Sequence, residues 1–144
     1  MSLSRAFEKS GNWLFKYRGQ LPVVLFLISI PFIYFTDYAK LSSGLICLLS
    51  FTGIFFAVLG FAIRFYTIAT TPASTSGRNR DEQVAATLNC SGIYSVVRHP
   101  LYLGNFLIWL GIIITTLNIY FVIIFCLAYW LYYERIMYAE EKYL

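Results

Sequence analysis

Residues 43–70 read SGLICLLSFTGIFFAVLGFAIRFYTIAT, and the first charged side chain in this stretch is Arg64. An α-helix rises about 1.5 Å per residue, so a helix of this length exceeds the roughly 30 Å hydrocarbon core of a bilayer. The stretch therefore predicts a membrane-spanning helix whose C-terminal end projects from the membrane. We expect Arg64 to lie at or near the interface.

The composition of the whole chain also favours a membrane protein. Of the 144 residues, 59% are hydrophobic, 19% are aromatic and only 12% are charged, whereas soluble domains carry about 25% charged residues. The formal net charge is +4, but the basic residues flank apolar blocks, which is typical of charges that orient a membrane protein. We therefore expect no nucleic-acid partner. The three cysteines lack metal-ligand spacing, so no metal site is predicted.

Three other apolar blocks predict further helices, one before residues 43–70 in the sequence and two after them. The expected fold is an all-α polytopic bundle of about four transmembrane helices, at residues 21–38, 43–70, 101–117 and 119–133. Pro31 lies inside the first of these and predicts a kink. Together, residues 21–144 are expected to form one membrane domain.

Three polar segments accompany the spans. Residues 1–20 are basic and predict an interfacial N-terminal helix. Residues 71–100 form the extensive polar loop, and residues 134–144 predict a polar helix that leaves the last span. With four crossings these segments share one side, which holds ten of the eleven Lys and Arg residues; Lys40 alone lies opposite. The positive-inside rule makes that side cytoplasmic.

The sequence GIYSVVRHPLYLG at residues 92–104 carries the most informative polar pattern. Pro100 suits the first position of a helix, and the amides that follow it lack intrahelical partners, which makes a candidate anion site. Arg98 and His99 immediately precede that helix start. Gly104 allows a ligand or a neighbouring helix to approach the backbone. The alternative is an Arg-His pair that only anchors a helix end at the interface.

This stretch, together with the adjacent pair Glu140-Glu141, resembles the signature of isoprenylcysteine carboxyl methyltransferases, phospholipid methyltransferases and their bacterial relatives. The shared pattern is Arg-His-Pro-x-Tyr-x-Gly after Gly-x-Tyr, with the glutamates on the helix that leaves the last span. A weaker match is GFAIR at residues 60–64, and the resemblance covers roughly residues 55–144. It implies methyl transfer to a membrane-embedded lipid or lipidated substrate. The distribution of basic residues predicts that this site faces the cytoplasm, and we favour a bacterial inner membrane over the endoplasmic reticulum.

The resemblance also implies that the cofactor is S-adenosylmethionine, held without a Rossmann domain. The cofactor-binding residues it implies are His99, Pro100, Leu101, Tyr102, Gly104, Glu140 and Glu141. The chemistry of these groups agrees, because carboxylates suit ribose hydroxyls or a cationic group and tyrosine faces attract cations. Arg98, His99 and the helix-start amides suit the cofactor's carboxylate.

The catalytic residues depend on the methyl acceptor. A carboxylate, as on a prenylated cysteine, needs no general base, and Arg64 or Arg98 would position it. A phospholipid amine must lose a proton, and His99 or a glutamate is then the candidate base. Two other function classes stay open: a non-enzymatic membrane scaffold or subunit, and a membrane-embedded reductase.

The end of the chain differs from the family pattern. Family members usually continue beyond the glutamates with an aromatic- and glycine-containing segment that packs over the site, whereas this sequence ends at Leu144. We expect either a truncated sequence or a minimal variant with a more open pocket. The sequence leaves the oligomeric state open.

Overall fold

The computed structural model describes residues 2–71 and 92–143, so most of the polar loop predicted at residues 71–100 lies outside the described residues. The predicted all-α fold is confirmed, since the described part contains helices and no strand. The α-helices in chain order are α1 (Leu3–Lys16), α2 (Leu21–Phe35), α3 (Ser43–Thr70), α4 (Pro100–Ile114) and α5 (Ile119–Tyr143).

Three of the described helical stretches are long and apolar enough to cross a bilayer. They are Arg18–Phe35, Ser43–Thr70 and Ile119–Lys142. Only 11% of the α3 stretch is buried inside the protein, so most of its apolar surface needs lipid as its solvent. α4 is apolar but has 15 residues, about 22 Å at 1.5 Å per residue. Four complete crossings therefore stay a prediction.

Local sequence explains where the helices begin. Ser42 is the N-cap of α3, and its hydroxyl oxygen accepts a hydrogen bond from the Leu45 amide at 3.2 Å. The Asn118 side chain accepts from the Phe121 amide at 3.2 Å in the same way before α5. Such caps satisfy amides that have no partner within the helix. α4 begins instead with Pro100, which needs no amide partner.

α3 and α4 are antiparallel and pack backbone against backbone through glycines. A Cβ on Gly60 would lie 2.6 Å from the carbonyl oxygen of Gly104, and a Cβ on Gly53 would lie 2.5 Å from that of Gly111. Glycines are the residues that permit such close approach between helices in membranes. This contact fixes α4 against the C-terminal two thirds of α3, with Gly104 opposite Gly60 and Gly111 opposite Gly53.

α1 packs along the C-terminal half of α5. Gly11 lies against the Arg135 carbonyl so closely that a Cβ there would overlap it. Phe15 is 4% exposed and belongs to a buried cluster with Tyr102, Tyr133 and Ile136. Residues predicted as a basic interfacial segment thus form a helix that supports the end of α5, while their position at the membrane interface stays a prediction.

A tight turn joins α4 to α5. Leu117 has a φ of 60°, a left-handed conformation that is uncommon for a residue with a side chain. The Asn118 amide group donates to the Thr36 hydroxyl at 3.0 Å, which ties the turn to the end of α2. Because the chain reverses here, the N-terminal turn of α4 and the C-terminal turns of α5 meet at the opposite end of the hairpin.

Candidate functional site

The first contact between these two helix ends is a buried hydrogen bond. The Tyr102 hydroxyl donates to Glu140 Oε2 at 2.9 Å, and the two residues are 8% and 6% exposed. Hydrogen bonds to an ionised acceptor are stronger than neutral ones, and more so when shielded from water. The bond therefore links the 92–104 stretch to the glutamate pair.

The second contact is an ion pair on the exposed side of the first. Arg98 donates to both oxygens of Glu141, from Nε to Oε1 at 2.5 Å and from Nη2 to Oε2 at 2.7 Å. This two-bond geometry is the strong form of an arginine–carboxylate pair. The bond from Arg98 is the main cause that lowers the pKa of Glu141 below its usual value, against a smaller opposing effect of burial.

His99 lies between the two glutamates. Its Nε2 is 2.9 Å from Glu141 Oε1, and an ionised carboxylate only accepts, so Nε2–H donates to it. Nδ1 is 3.7 Å from Glu140 Oε2, which is beyond hydrogen-bond distance. The imidazole also stacks on the Tyr102 ring, with centroids 5.6 Å apart. Nε2 of His99 is thus held by a hydrogen bond to Glu141, and Nδ1 faces the buried carboxylate of Glu140.

Glu140 keeps one oxygen available. Its Oε2 accepts from Tyr102, whereas within residues 2–71 and 92–143 no donor bonds to Oε1. A buried carboxylate oxygen without a donor is costly, so Oε1 is a ready acceptor for a ligand hydroxyl or cationic group. Tyr94 lies near Glu140, and the pKa of its phenol is raised above the usual value. Burial is the main cause and the charge of Glu140 adds to it, whereas a hydrogen bond with Thr71 opposes it.

Two of the predicted site residues lie elsewhere. The Arg64 guanidinium donates from Nη1 to Asn105 Oδ1, and Arg64 lines a separate cavity between the start of α2, the end of α3 and the first half of α4. Gly104 faces α3, because a Cβ there would lie 2.8 Å from Arg64 Cγ and 3.1 Å from the Gly60 carbonyl oxygen. The neighbour that Gly104 admits in this structure is thus a helix, and its role toward a cofactor stays a prediction.

The other two predicted residues flank the cluster. Pro100 is fully buried and starts α4, so it fixes the position of the residues on either side of it. Leu101 is half-buried. Their predicted part in cofactor binding stays a prediction as well.

A row of tyrosines on α5 supports the cluster and was missed in the sequence. The Tyr129 hydroxyl donates to the Tyr102 carbonyl oxygen at 2.5 Å, and the Tyr133 ring packs on the Tyr102 ring with centroids 4.9 Å apart. Tyr129 and Tyr133 stack at 4.1 Å. Their spacing from Glu140, at 129, 133, 136 and 140, follows one helical face. That periodicity is the signal that could have identified them.

The family to which the chain belongs follows from a comparison with family models. The model of the isoprenylcysteine carboxyl methyltransferase (ICMT) family matches residues 52–144, a segment that runs from α3 to the end of the chain and contains both clustered motifs. No curated protein and no solved structure gives a significant match. Because the matched segment is well over half of the 144 residues, the chain belongs to the isoprenylcysteine carboxyl methyltransferase family of membrane methyltransferases.

Proposed function

We propose that the protein transfers a methyl group from S-adenosylmethionine to a lipid or lipidated acceptor held in the membrane. Membership of a membrane methyltransferase family supports the reaction class. The observation that carries the proposal is the joining of the two family-like motifs, in which Tyr102 bonds Glu140 while Arg98 and His99 bond Glu141. These three contacts bring two carboxylates, a guanidinium and an imidazole to one helix junction.

The polar groups of this junction fit the proposed cofactor by their chemistry. The open Oε1 of Glu140 suits a ribose hydroxyl or an ammonium group, both of which donate. Arg98 and His99 suit a carboxylate. When bound, the cofactor supplies a methyl group on a cationic sulfonium. Exposed as it is, Arg98 can exchange one of its bonds to Glu141 for a bond to a ligand.

Each residue of the junction then has a distinct task. Glu141 positions Arg98 and His99, because it bonds both. Tyr102 holds Glu140 through its hydroxyl and shields it through its ring. The work of the site is alignment of two reactants and exclusion of water, which suits an in-line displacement that needs no covalent enzyme intermediate.

The acceptor decides which residue acts on the proton. A carboxylate acceptor carries no proton to remove, so Arg64 or Arg98 would hold it. An amine acceptor must lose a proton, and the unanchored Nδ1 of His99 is the site we propose for it, since the nearby Glu140 carboxylate, 3.7 Å away, would stabilise the resulting positive charge. Both acceptors belong to the proposal.

Binding of radiolabelled S-adenosylmethionine to the protein purified in detergent tests the proposal. Losing a charge-assisted contact costs about 1.5–3 kcal/mol, so Glu140→Gln should weaken binding by roughly ten- to a hundredfold. Glu134→Gln is the matched control, because Glu134 is an exposed carboxylate on the same helix, and its binding should equal that of the wild type.

Two outcomes would contradict the proposal. Absence of binding to the wild type would favour a non-enzymatic scaffold, and binding of a nicotinamide cofactor in its place would favour a membrane reductase. Equal binding by the Glu140→Gln and Glu134→Gln variants would remove Glu140 from the site.

A further inference from the structure

α1 packs along the turns of α5 that carry the glutamate pair. The two helices run in opposite directions, because the Tyr132 hydroxyl donates to the Leu14 carbonyl oxygen at 3.1 Å at one end, whereas Lys142 Nζ donates to Glu8 Oε2 at 2.6 Å at the other. Of the described helices, α1 has the most extensive contact with α5. These contacts hold α5 from residue 132 to residue 142, and the glutamate pair lies within that range.

A close backbone contact between α1 and α5 lies next to this pair. A Cβ on Gly11 would overlap the Arg135 carbonyl oxygen and would lie 2.8 Å from Ala139 Cβ. Ala139 is buried and directly precedes Glu140. In an α-helix the carbonyl of residue 135 accepts from the amide of residue 139. Gly11 therefore packs on the turn of α5 that leads into Glu140.

A second contact joins α1 to both helices of the site. Phe15 is buried in one cluster with Tyr102 of α4 and with Tyr133 and Ile136 of α5. Ile136 is fully buried and lies about one helical turn before Glu140. Tyr102 is the residue whose hydroxyl donates to Glu140. Phe15 thus belongs to the packing that sets the distance between the donor and the acceptor of this bond.

The bonds to the glutamates from residues 98–102 depend on the position of α5. All the bonds described above come from side chains. A shift of α5 by about 1 Å would lengthen the 2.9 Å bond from Tyr102 to Glu140 beyond hydrogen-bond distance, and a misplacement of that size is enough to impair a site. The backbone contact at Gly11 opposes such a shift.

We propose that α1 positions the site: Gly11 and Phe15 hold the last turns of α5 where Glu140 and Glu141 meet their partners at the start of α4. Both are positioning residues, because they act through the glutamates. α1 precedes the segment at residues 52–144 that the family model matches, so the site depends on a helix outside that segment. The effect on cofactor affinity rests on the proposed function, whereas the effect on the bond from Tyr102 to Glu140 does not.

The affinity of the full chain in detergent for radiolabelled S-adenosylmethionine is the first test. Gly11→Ala should displace the end of α5 and weaken binding roughly ten- to a hundredfold, the range for loss of a charge-assisted contact. Gly53→Ala is the matched control, because a Cβ there would lie 2.5 Å from the Gly111 carbonyl oxygen. This overlap is also between two helices, but Gly111 lies about 16 Å along α4 from Pro100.

Gly53→Ala should bind the cofactor as the wild type does when both variants are measured well below their unfolding temperatures. Equal losses of affinity in Gly11→Ala and Gly53→Ala would show general destabilisation and overturn the inference.

A milder variant covers the case in which Gly11→Ala does not fold. Phe15→Leu keeps an apolar side chain but removes the ring, so it should lose about half as much binding free energy, or roughly three- to tenfold in affinity. Phe121→Leu is its control, because Phe121 is equally well buried at the opposite end of α5. Equal affinities of Phe15→Leu and Phe121→Leu would contradict a positioning role for Phe15.

Thermal unfolding tests the same coupling without the cofactor. Tyr102→Phe leaves the buried Glu140 without its donor and should lower the unfolding temperature by at least about 2 °C. In the Gly11→Ala background that bond is already weakened, so Tyr102→Phe should lower the temperature less. In the Gly53→Ala background the full decrease should remain. An equal decrease in both backgrounds would overturn the inference.

The two measurements separate this inference from the proposed function. Coupling between Gly11 and Tyr102 in thermal unfolding, without cofactor binding by the wild type, would contradict the proposed function and leave positioning by α1 intact. Cofactor binding that Gly11→Ala and Gly53→Ala weaken equally would do the reverse.

Discussion

Replacing Gly60 by alanine is expected to push α4 away from α3. The added Cβ would lie 2.6 Å from the Gly104 carbonyl oxygen and 2.7 Å from the Ile108 amide nitrogen. Both atoms belong to the α4 backbone, so no side-chain rotation relieves the overlap. The helix itself must move, and with it the Tyr102 hydroxyl that bonds Glu140.

The magnitude follows from two opposing contributions. Overpacking of a close contact costs about 1–3 kcal/mol, and alanine in place of glycine within a helix returns about 0.5–1 kcal/mol. Since two contacts are to backbone atoms, we expect the Gly60→Ala variant to lose about 1–2 kcal/mol of unfolding free energy. Gly44→Ala is the control, because a Cβ at Gly44 meets no atom within 4 Å and should leave stability unchanged or slightly higher.

Thermal unfolding in detergent, with cofactor binding measured on the same preparations, is the assay. Gly60→Ala should unfold at a lower temperature than both the wild type and Gly44→Ala. Gly104→Ala should cost less, because its nearest backbone contact, to the Gly60 carbonyl oxygen, is longer at 3.1 Å, and its contact of 2.8 Å is to a single side-chain carbon, Arg64 Cγ. If Gly60→Ala is as stable as Gly44→Ala, the close contact between α3 and α4 is refuted.

Three further measurements address the site and its orientation. Because Arg98 lowers the pKa of Glu141, the contribution of their pair to stability is present above about pH 4.5 and is lost as the pH falls through the lowered value. The stability difference between wild type and Glu141→Gln should thus be constant at neutral pH and disappear in acid; a difference that grows on acidification would contradict this. If His99 only donates a hydrogen bond, His99→Gln should weaken cofactor binding at unchanged turnover, whereas a base would lose about 10²–10⁴-fold in turnover at saturating cofactor. In a background without native cysteines, a Lys40→Cys variant should be labelled from outside intact cells and a Ser95→Cys variant should not; the opposite pattern would reverse the orientation.

Short motifs and the ends of apolar spans predicted those residues of the candidate site that stand next to such a feature in the sequence. His99 and Tyr102 stand beside Pro100, which marks a helix start, and Glu140 and Glu141 follow an apolar span. Tyr129 and Tyr133 were missed because aromatic residues in an apolar span are ordinary lipid-facing or packing residues. Only their contacts with Tyr102 distinguish them from exposed neighbours such as Trp130.

Only the structure separates the predicted site residues into two groups. One group surrounds Glu140 and Glu141, and the other consists of Arg64 and Gly104 at the contact between α3 and α4. Arg64 and Gly104 are 40 residues apart in sequence, and nothing local indicates that the Arg64 stem packs on the Gly104 backbone. In the structure Arg64 donates to Asn105 and lines a cavity whose described lining contains neither Glu140 nor Glu141. A motif specifies residue types at fixed spacing, but it does not specify the surface toward which each one faces.

The sequence by itself determined that this is an all-α membrane protein, because transfer of long uncharged stretches into lipid depends on composition and length alone. It also determined the family, through residue types at fixed spacing in residues 52–144. The tertiary structure decided which side chains meet: Tyr102 with Glu140, and Arg98 and His99 with Glu141. These contacts join residues 38 to 43 positions apart, and they depend on how the glycine faces of α3 and α4 pack and on where the turn before Ile119 reverses the chain.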